Sequence, residues 1–225
     1  MSQKVISRFS EFLQEIENQC KNISTRAAGD WEKTIKEGIL TTFLRDTITG
    51  IEDQYSKFLQ DEQRKSTLLS NIYEIVTSHL IKSFFESLDR ERFSIILDTP
   101  LSAHSPSLKK GRMRPDILVK RDGTFAGLIE LKYKLKRTGY VSEKKRRSEL
   151  LAIFPRYIVL QYWDQEIEFV KSLIREKCDW IYLVDPHKQI EQIQNSQKFN
   201  NIQKQQAIDR LNTHNAVELA LNNFI

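Results

Sequence analysis

Residues 114–132 read RPDILVKRDGTFAGLIELK, and the fold turns on how this stretch is read. Asp116–Lys120 predicts one short strand and Phe125–Tyr133 a second, longer one. Between them, Arg121-Asp122-Gly123 predicts a tight hairpin turn, because Asp and Gly both tolerate positive φ. A two-residue loop at Asp122-Gly123 pairs Arg121 with Thr124. Counting back in that register, Asp116 faces Ile129, next to Glu130. Bringing Asp116 opposite Glu130 requires a bulge or a one-residue slip in the ladder. Glu130 and Lys132 are two apart, so they share one face of the strand while Leu131 turns to the other.

The elements on either side of the hairpin set its context. Upstream, Ser66 to about Leu88 spaces Leu68, Leu69, Ile72, Ile75, Val76, Leu80 and Phe84 along a helix, and Phe93–Leu97 predicts a strand. Pro100 to Gly111 is rich in turn formers and predicts a loop. Downstream, Gly139 breaks the chain, and a helix is expected from Ser142 or Ser148 through about Lys177, interrupted at Pro155. Asp179–Val184 predicts a buried strand ended by Asp185-Pro186. At the front, residues 1–23 carry one apolar helical face, and Asp30 predicts the N-cap of a second helix running to about Thr47. The Gln/Asn-rich tail, 187–225, predicts one or two helices, with disorder over Lys188–Gln206 as the alternative. The expected architecture is therefore α/β, a central mixed sheet of about four strands flanked by helices. It divides into an N-terminal helical extension (1–66), a core (67–186) and a C-terminal helical tail (187–225), all within one compact domain.

Composition narrows the function classes. At 225 residues with 40% hydrophobic and 29% charged content, the chain fits a globular protein rather than a disordered one. No apolar run reaches the ~20 residues of a membrane span, and the N-terminal stretch lacks the apolar core of a secretory signal, so a cytoplasmic location is expected. Cys20 and Cys178 are too few for a disulfide framework or a zinc site. His79, His104, His187 and His214 show no zinc-hydrolase spacing.

Charge is unevenly distributed. Residues 109–147 hold fourteen Lys or Arg against four Asp or Glu, whereas the rest of the chain holds 21 basic and 26 acidic residues. A concentrated basic segment is the footprint of a polyanionic partner. Lys109, Lys110, Arg112 and Arg114 precede Asp116; Lys134, Lys136, Arg137, Lys144, Lys145, Arg146 and Arg147 follow Lys132. Both groups are expected to flank a nucleic-acid backbone, positioning it without reading sequence.

Two carboxylates and a lysine on one sheet face are costly to place together unless something binds them. Hard oxygen ligands suit Mg²⁺, for which Mn²⁺ can substitute, and the lysine can orient water or stabilise developing charge on a phosphate.

Arg114-Pro115-Asp116, thirteen intervening residues, and Glu130-Leu131-Lys132 resemble the PD-(D/E)XK nuclease superfamily, over about residues 67–186. The resemblance implies a restriction-endonuclease-like αβββαβ core, with Asp116 and Glu130 as metal ligands and Lys132 as the catalytic lysine. It also implies a further acidic residue on the first core helix, for which Glu74 is the best match and Glu86 and Asp98 are weaker ones. Some branches add a Gln or Tyr from the next helix, where Gln161, Tyr162 and Tyr157 stand, although ordinary packing accounts for them better. His104 lies in the loop before the motif, within reach of a substrate or simply in solvent. The expected function is metal-dependent DNA cleavage by a restriction-type endonuclease, with a repair or anti-phage nuclease and a non-catalytic nucleic-acid-binding module as alternatives. RNA shares the phosphate chemistry and stays open as a substrate. The terminal helices are available for homodimerisation or base readout.

Overall fold

The computed structural model describes residues 3–56, 62–98, 114–134, 137–163, 179–211 and 214–225. Four helices lead into the sheet: α1 (Gln3–Gly29), α2 (Trp31–Glu37), α3 (Ile39–Ser56) and α4 (Glu62–Asp89). Then come β1 (Phe93–Leu97), β2 (Ile117–Arg121), β3 (Thr124–Lys134), α5 (Arg137–Leu150), β4 (Tyr157–Trp163) and β5 (Ile181–Leu183). The chain ends with α6 (His187–Asn195), α7 (Asn201–Leu211) and α8 (Ala216–Asn222).

The sheet has five strands in the order β1-β2-β3-β4-β5. β1-β2 and β2-β3 are antiparallel, whereas β3-β4 and β4-β5 are parallel. The mixed α/β architecture is as expected, but there is one strand more than the sequence reading allows. Residues 157–163, expected to continue a helix past Pro155, form β4 instead. The reason is burial on both faces: Tyr157, Ile158, Val159 and Leu160 are all buried. A parallel strand covered on both sides is a continuous apolar run without alternation.

Alternation along β3 separates two cores. Ile129, Leu131 and Tyr133 face a core shared with α1, α3 and α4, in which Leu69, Ile72, Tyr73, Val76, Leu80 and Phe84 of α4 are buried. Leu128 faces the opposite core with Leu150, Phe154, Trp180, Ile193 and Leu211. α1 lies along α4, and Ser24 Oγ donates to the Leu80 carbonyl at 3.1 Å.

Asp30 caps α2 as expected, accepting the Lys33 backbone N–H at 3.1 Å. The single helix expected over 31–47 is broken at Gly38, which sits at φ 63°. A side chain there would collide with the His214 carbonyl, so only glycine admits this close approach. The tail forms three helices rather than one or two, and the disordered alternative does not hold for its described residues.

Candidate active site

The hairpin positions the site through an irregularity. Asp122 and Gly123 take φ of 52° and 76°, forming the expected turn, and Arg121 pairs with Thr124. The ladder shifts between Val119 and Lys120, which leaves Ala126 without a partner. Beyond this bulge Val119 pairs with Gly127 and Ile117 with Ile129, so the continued register sets Asp116 opposite Glu130. The bulge that the sequence reading required is present. Asp116 is tied down as well: its Oδ2 accepts the Leu131 N–H at 2.6 Å.

Glu130 and Lys132 share the face of β3 that looks toward α5. Glu130 is only 1% exposed. Lys132 Nζ lies 3.2 Å from Glu130 Oε2, 3.8 Å from Asp116 Oδ2 and 3.9 Å from Glu143 Oε1. Burial works against the Lys132 ammonium, but these three carboxylates outweigh it and hold its pKa above the ordinary lysine value. Burial pushes the Glu130 carboxyl up to about 7; Asp116 adds to the rise, and Lys132 and Arg146 oppose it.

Two residues of α5 enter this cluster unexpectedly. Arg146 Nη2 approaches Glu130 Oε1 to 2.8 Å. Glu143 is buried, approaches Lys132 and accepts a hydrogen bond from the Tyr157 hydroxyl. Their signal lies in helical spacing. Glu143, Arg146 and Leu150 fall three and four apart, one face of a helix, and Leu150 is buried. The run Lys144–Arg147 is thereby divided: Lys144 and Lys145 are exposed, Arg146 turns into the site, and the Arg147 guanidinium lies 5.3 Å from the centre of the Trp180 ring.

Glu74 approaches from the other side of the sheet. With Asp98 and Asp116 it lines an open cleft of about 510 Å³, to which Asn71, Ser78 and His79 also contribute. Burial and then the Asp116 charge raise its pKa. Asp98 sits at φ 42°, and its backbone N–H donates to the Asp116 carbonyl at 3.2 Å. Arg114 is exposed and lies 3.9 Å from Asp98.

The remaining expected residues fall in three groups. Lys109, Lys110, Arg112, Lys136 and His104 lie outside the described residues. Lys134 and Arg137 belong by backbone to β3 and α5. Tyr162 is a packing residue, its ring stacked 5.4 Å from Tyr133 and its hydroxyl 3.0 Å from that of Thr49.

The donor set suits a hard divalent cation in kind: Asp116, Glu130 and Glu74 offer oxygens, and buried Glu130 already draws two cations to its charge. Among the described residues no three His, Cys, Asp or Glu side chains converge as metal ligands. Lys132 and Arg146 instead stand against the two oxygens of Glu130. No protein-family model matches the chain, and no curated protein matches it either. Among the described residues no helix is long and apolar enough to cross a membrane.

Proposed function

We propose that this chain is a metal-dependent nuclease of the PD-(D/E)XK type that hydrolyses DNA phosphodiester bonds, of the kind found in restriction endonucleases. The observation that carries the reading is the meeting of Asp116, Glu130 and Lys132 across the β2-β3 bulge, with Lys132 Nζ within 3.8 Å of both carboxylates. Asp116 and Glu130 would hold Mg²⁺ or Mn²⁺, and Glu74 adds negative charge from the cleft side. When bound, the ion supplies charge neutralisation at the phosphate and a water of lowered pKa.

The protein's own groups account for the rest. Lys132 holds its proton across the working pH range, because its carboxylate neighbours favour the ammonium. It therefore acts as a donor, orienting the attacking water or stabilising charge that develops on the phosphate. The Leu131 N–H fixes the Asp116 carboxylate, and the Tyr157 hydroxyl fixes Glu143 beside the lysine. Exposed Lys144 and Lys145 on α5 suit backbone phosphates on that side.

A binding module without chemistry is the second reading. The pairing of both Glu130 oxygens with cations favours it, since such a carboxylate can serve structure alone.

One experiment separates the two. Plasmid, single-stranded DNA and RNA are incubated with the purified chain in Mg²⁺ or in chelator, beside Asp116→Asn, whose side-chain oxygen can still accept the Leu131 N–H. Mg²⁺-dependent cleavage that vanishes in the variant supports the nuclease. Equal binding by both proteins with no cleavage by either supports the module.

A further inference from the structure

Arg146 does something that a phosphate-binding arginine on a solvated helix would not. It reaches inward from α5, with its side chain 22% exposed, and sets Nη2 2.8 Å from an oxygen of a carboxylate that is 1% exposed. The contact is an ion pair without hydrogen-bond alignment, since Glu130 Oε1 has no hydrogen-bond partner among the described residues. The buried Nε of Arg146 makes no hydrogen bond either. Among the described residues, its hydrogen bond is a long one, 3.4 Å from Nη2 to the Arg114 carbonyl. The guanidinium is thus held chiefly by charge and scarcely by direction. Lys132 differs, because it stands among three carboxylates and hydrogen-bonds Glu130 at 3.2 Å.

The charges of the cluster make this difference consequential. Asp116, Glu130 and Glu143 face Lys132 and Arg146, three carboxylates against two cations. A divalent cation held by Asp116 and Glu130 would reverse the balance and would compete with Arg146 for the Glu130 carboxylate. Like charges a few Å apart in a poorly solvated site repel strongly. Of the two resident cations, Arg146 has the looser hold, and its side chain is not sealed from solvent, being 22% exposed. A phosphodiester at the site is the natural acceptor, because a guanidinium fork matches phosphate oxygens.

We propose that Arg146 is a positioning residue that stands in for the divalent cation at Glu130 in the metal-free protein and passes to a backbone phosphate of the nucleic acid when the cation enters. The proposal rests on the nuclease reading. It makes metal and nucleic acid bind with positive coupling, and such coupling is reciprocal. The metal-free site is protected from carrying a bare buried carboxylate, and the metal-loaded site gains a phosphate ligand.

The test uses the full chain, freed of metal, at about pH 8. Mn²⁺ alone is titrated calorimetrically into the parent, Arg146→Gln, Arg146→Lys and Glu130→Gln. A short DNA duplex is titrated in chelator by fluorescence anisotropy, with Lys144→Ala/Lys145→Ala as a further arm. Removing the competitor should let Arg146→Gln bind Mn²⁺ about tenfold more tightly than the parent, within the range of coupled sites. Arg146→Lys keeps the charge on a shorter, single-headed group and should show a smaller gain, which serves if Arg146→Gln does not fold. In chelator, Arg146→Gln should bind DNA as the parent does, because Arg146 is then engaged with Glu130.

Mn²⁺ affinity that is unchanged or weaker in the Arg146 variants overturns the proposal. So does a loss of DNA binding in chelator as large as that of the Lys144/Lys145 variant, which would make Arg146 an ordinary phosphate contact. If the parent does not bind Mn²⁺, or Glu130→Gln binds it equally well, the nuclease reading fails and this inference with it. If Glu130→Gln abolishes binding while the Arg146 variants match the parent, only the inference fails.

Discussion

Glu130 should make the metal-free protein lose stability as pH rises through neutrality, and Glu130→Gln should remove that loss. Burial holds its folded-state pKa at about 7, above the 4.5 of an ordinary glutamate. Between those values the folded chain keeps a proton that the unfolded chain has released. Stability therefore falls as pH rises across this window, and the contribution is complete below 4.5 and gone above about 7. A shift from 4.5 to about 7 corresponds to an upper limit of about 3 kcal/mol, at roughly 1.4 kcal/mol per pKa unit. Lys132 adds nothing to this slope, since its pKa is raised from 10.5 and it titrates above the window. Glu74 and Glu218 have raised pKa values and slope the same way, but both are shared by the variant.

The measurement is urea denaturation of the metal-free parent and Glu130→Gln at about pH 5 and about pH 8, read as a difference of differences. The parent should lose about 2–3 kcal/mol more than the variant, or about 4–12 °C in Tm for a chain of this size. Mn²⁺ added at the higher pH should restore the parent and not the variant, because a ligand that binds only the folded state stabilises it. Equal pH slopes would refute the reasoning. A parent that gains on the variant as pH rises would mean that the cations outweigh burial and hold Glu130 charged throughout.

Lys132→Ala and Lys132→Arg should both retain Mn²⁺ binding and lose cleavage by at least ~10²-fold, the scale of one transition-state donor; near-normal turnover in single-turnover assays would remove Lys132 from the chemistry. Lys144→Ala/Lys145→Ala should weaken DNA binding and lower the slope of log affinity against log salt by up to about 2, because each phosphate contact releases a counterion. An unchanged slope would place these lysines away from the DNA. Gly127→Ala should destabilise the fold by at least ~2 kcal/mol in denaturation experiments, because non-glycine residues at unusual φ are strained and this one also collides. Gly127 sits at φ 149° beside the bulge, and a Cβ there would lie 2.6 Å from the Arg156 carbonyl oxygen. A parent-like midpoint would show that the bulge is not a constrained feature.

Much of this arrangement is readable in the chain because the interactions that set it are local. The β1 bounds, the Asp30 cap, the Asp122-Gly123 turn and the common face of Glu130 and Lys132 all follow from residues within a few positions of one another. Even the bulge is implied, as the only way besides a slip for that turn to bring Asp116 opposite Glu130. What escapes is set over long distances. β4 reads as helix because a short apolar run buried on both faces carries no period to distinguish it. The break at Gly38 depends on the close passage of His214, 176 positions later in numbering. Arg146 hides within Lys144–Arg147, where four successive basic residues read alike as contacts to a nucleic-acid backbone. Only its spacing from Glu143 and Leu150 marks it as inward, and only the sheet supplies the carboxylate it meets.

Two buried glutamates show why Glu130 calls for a functional account and the other does not. Glu218 is 0% exposed, yet structure explains each of its oxygens. Oε1 accepts the N–H groups of Leu40 and Thr41 at 2.5 and 3.2 Å, and Oε2 accepts the Thr41 hydroxyl at 2.5 Å. It caps the first turn of α3, where a helix presents unpaired N–H groups and favours negative charge. Glu130 has no such set of donors. One oxygen has an ammonium that is shared with two other carboxylates, and the other has a guanidinium that is not aligned to bond it. Apolar residues of similar volume often replace a buried ion pair at no loss of stability. An arrangement with three carboxylates, two cations and an unaligned contact therefore adds little to stability that apolar packing would not supply. Its incomplete satisfaction is what leaves room for a ligand, and the ligand that completes it must bring positive charge to Glu130 and offer negative charge to Arg146. On the proposed reading, a divalent cation carried with a phosphodiester would do both.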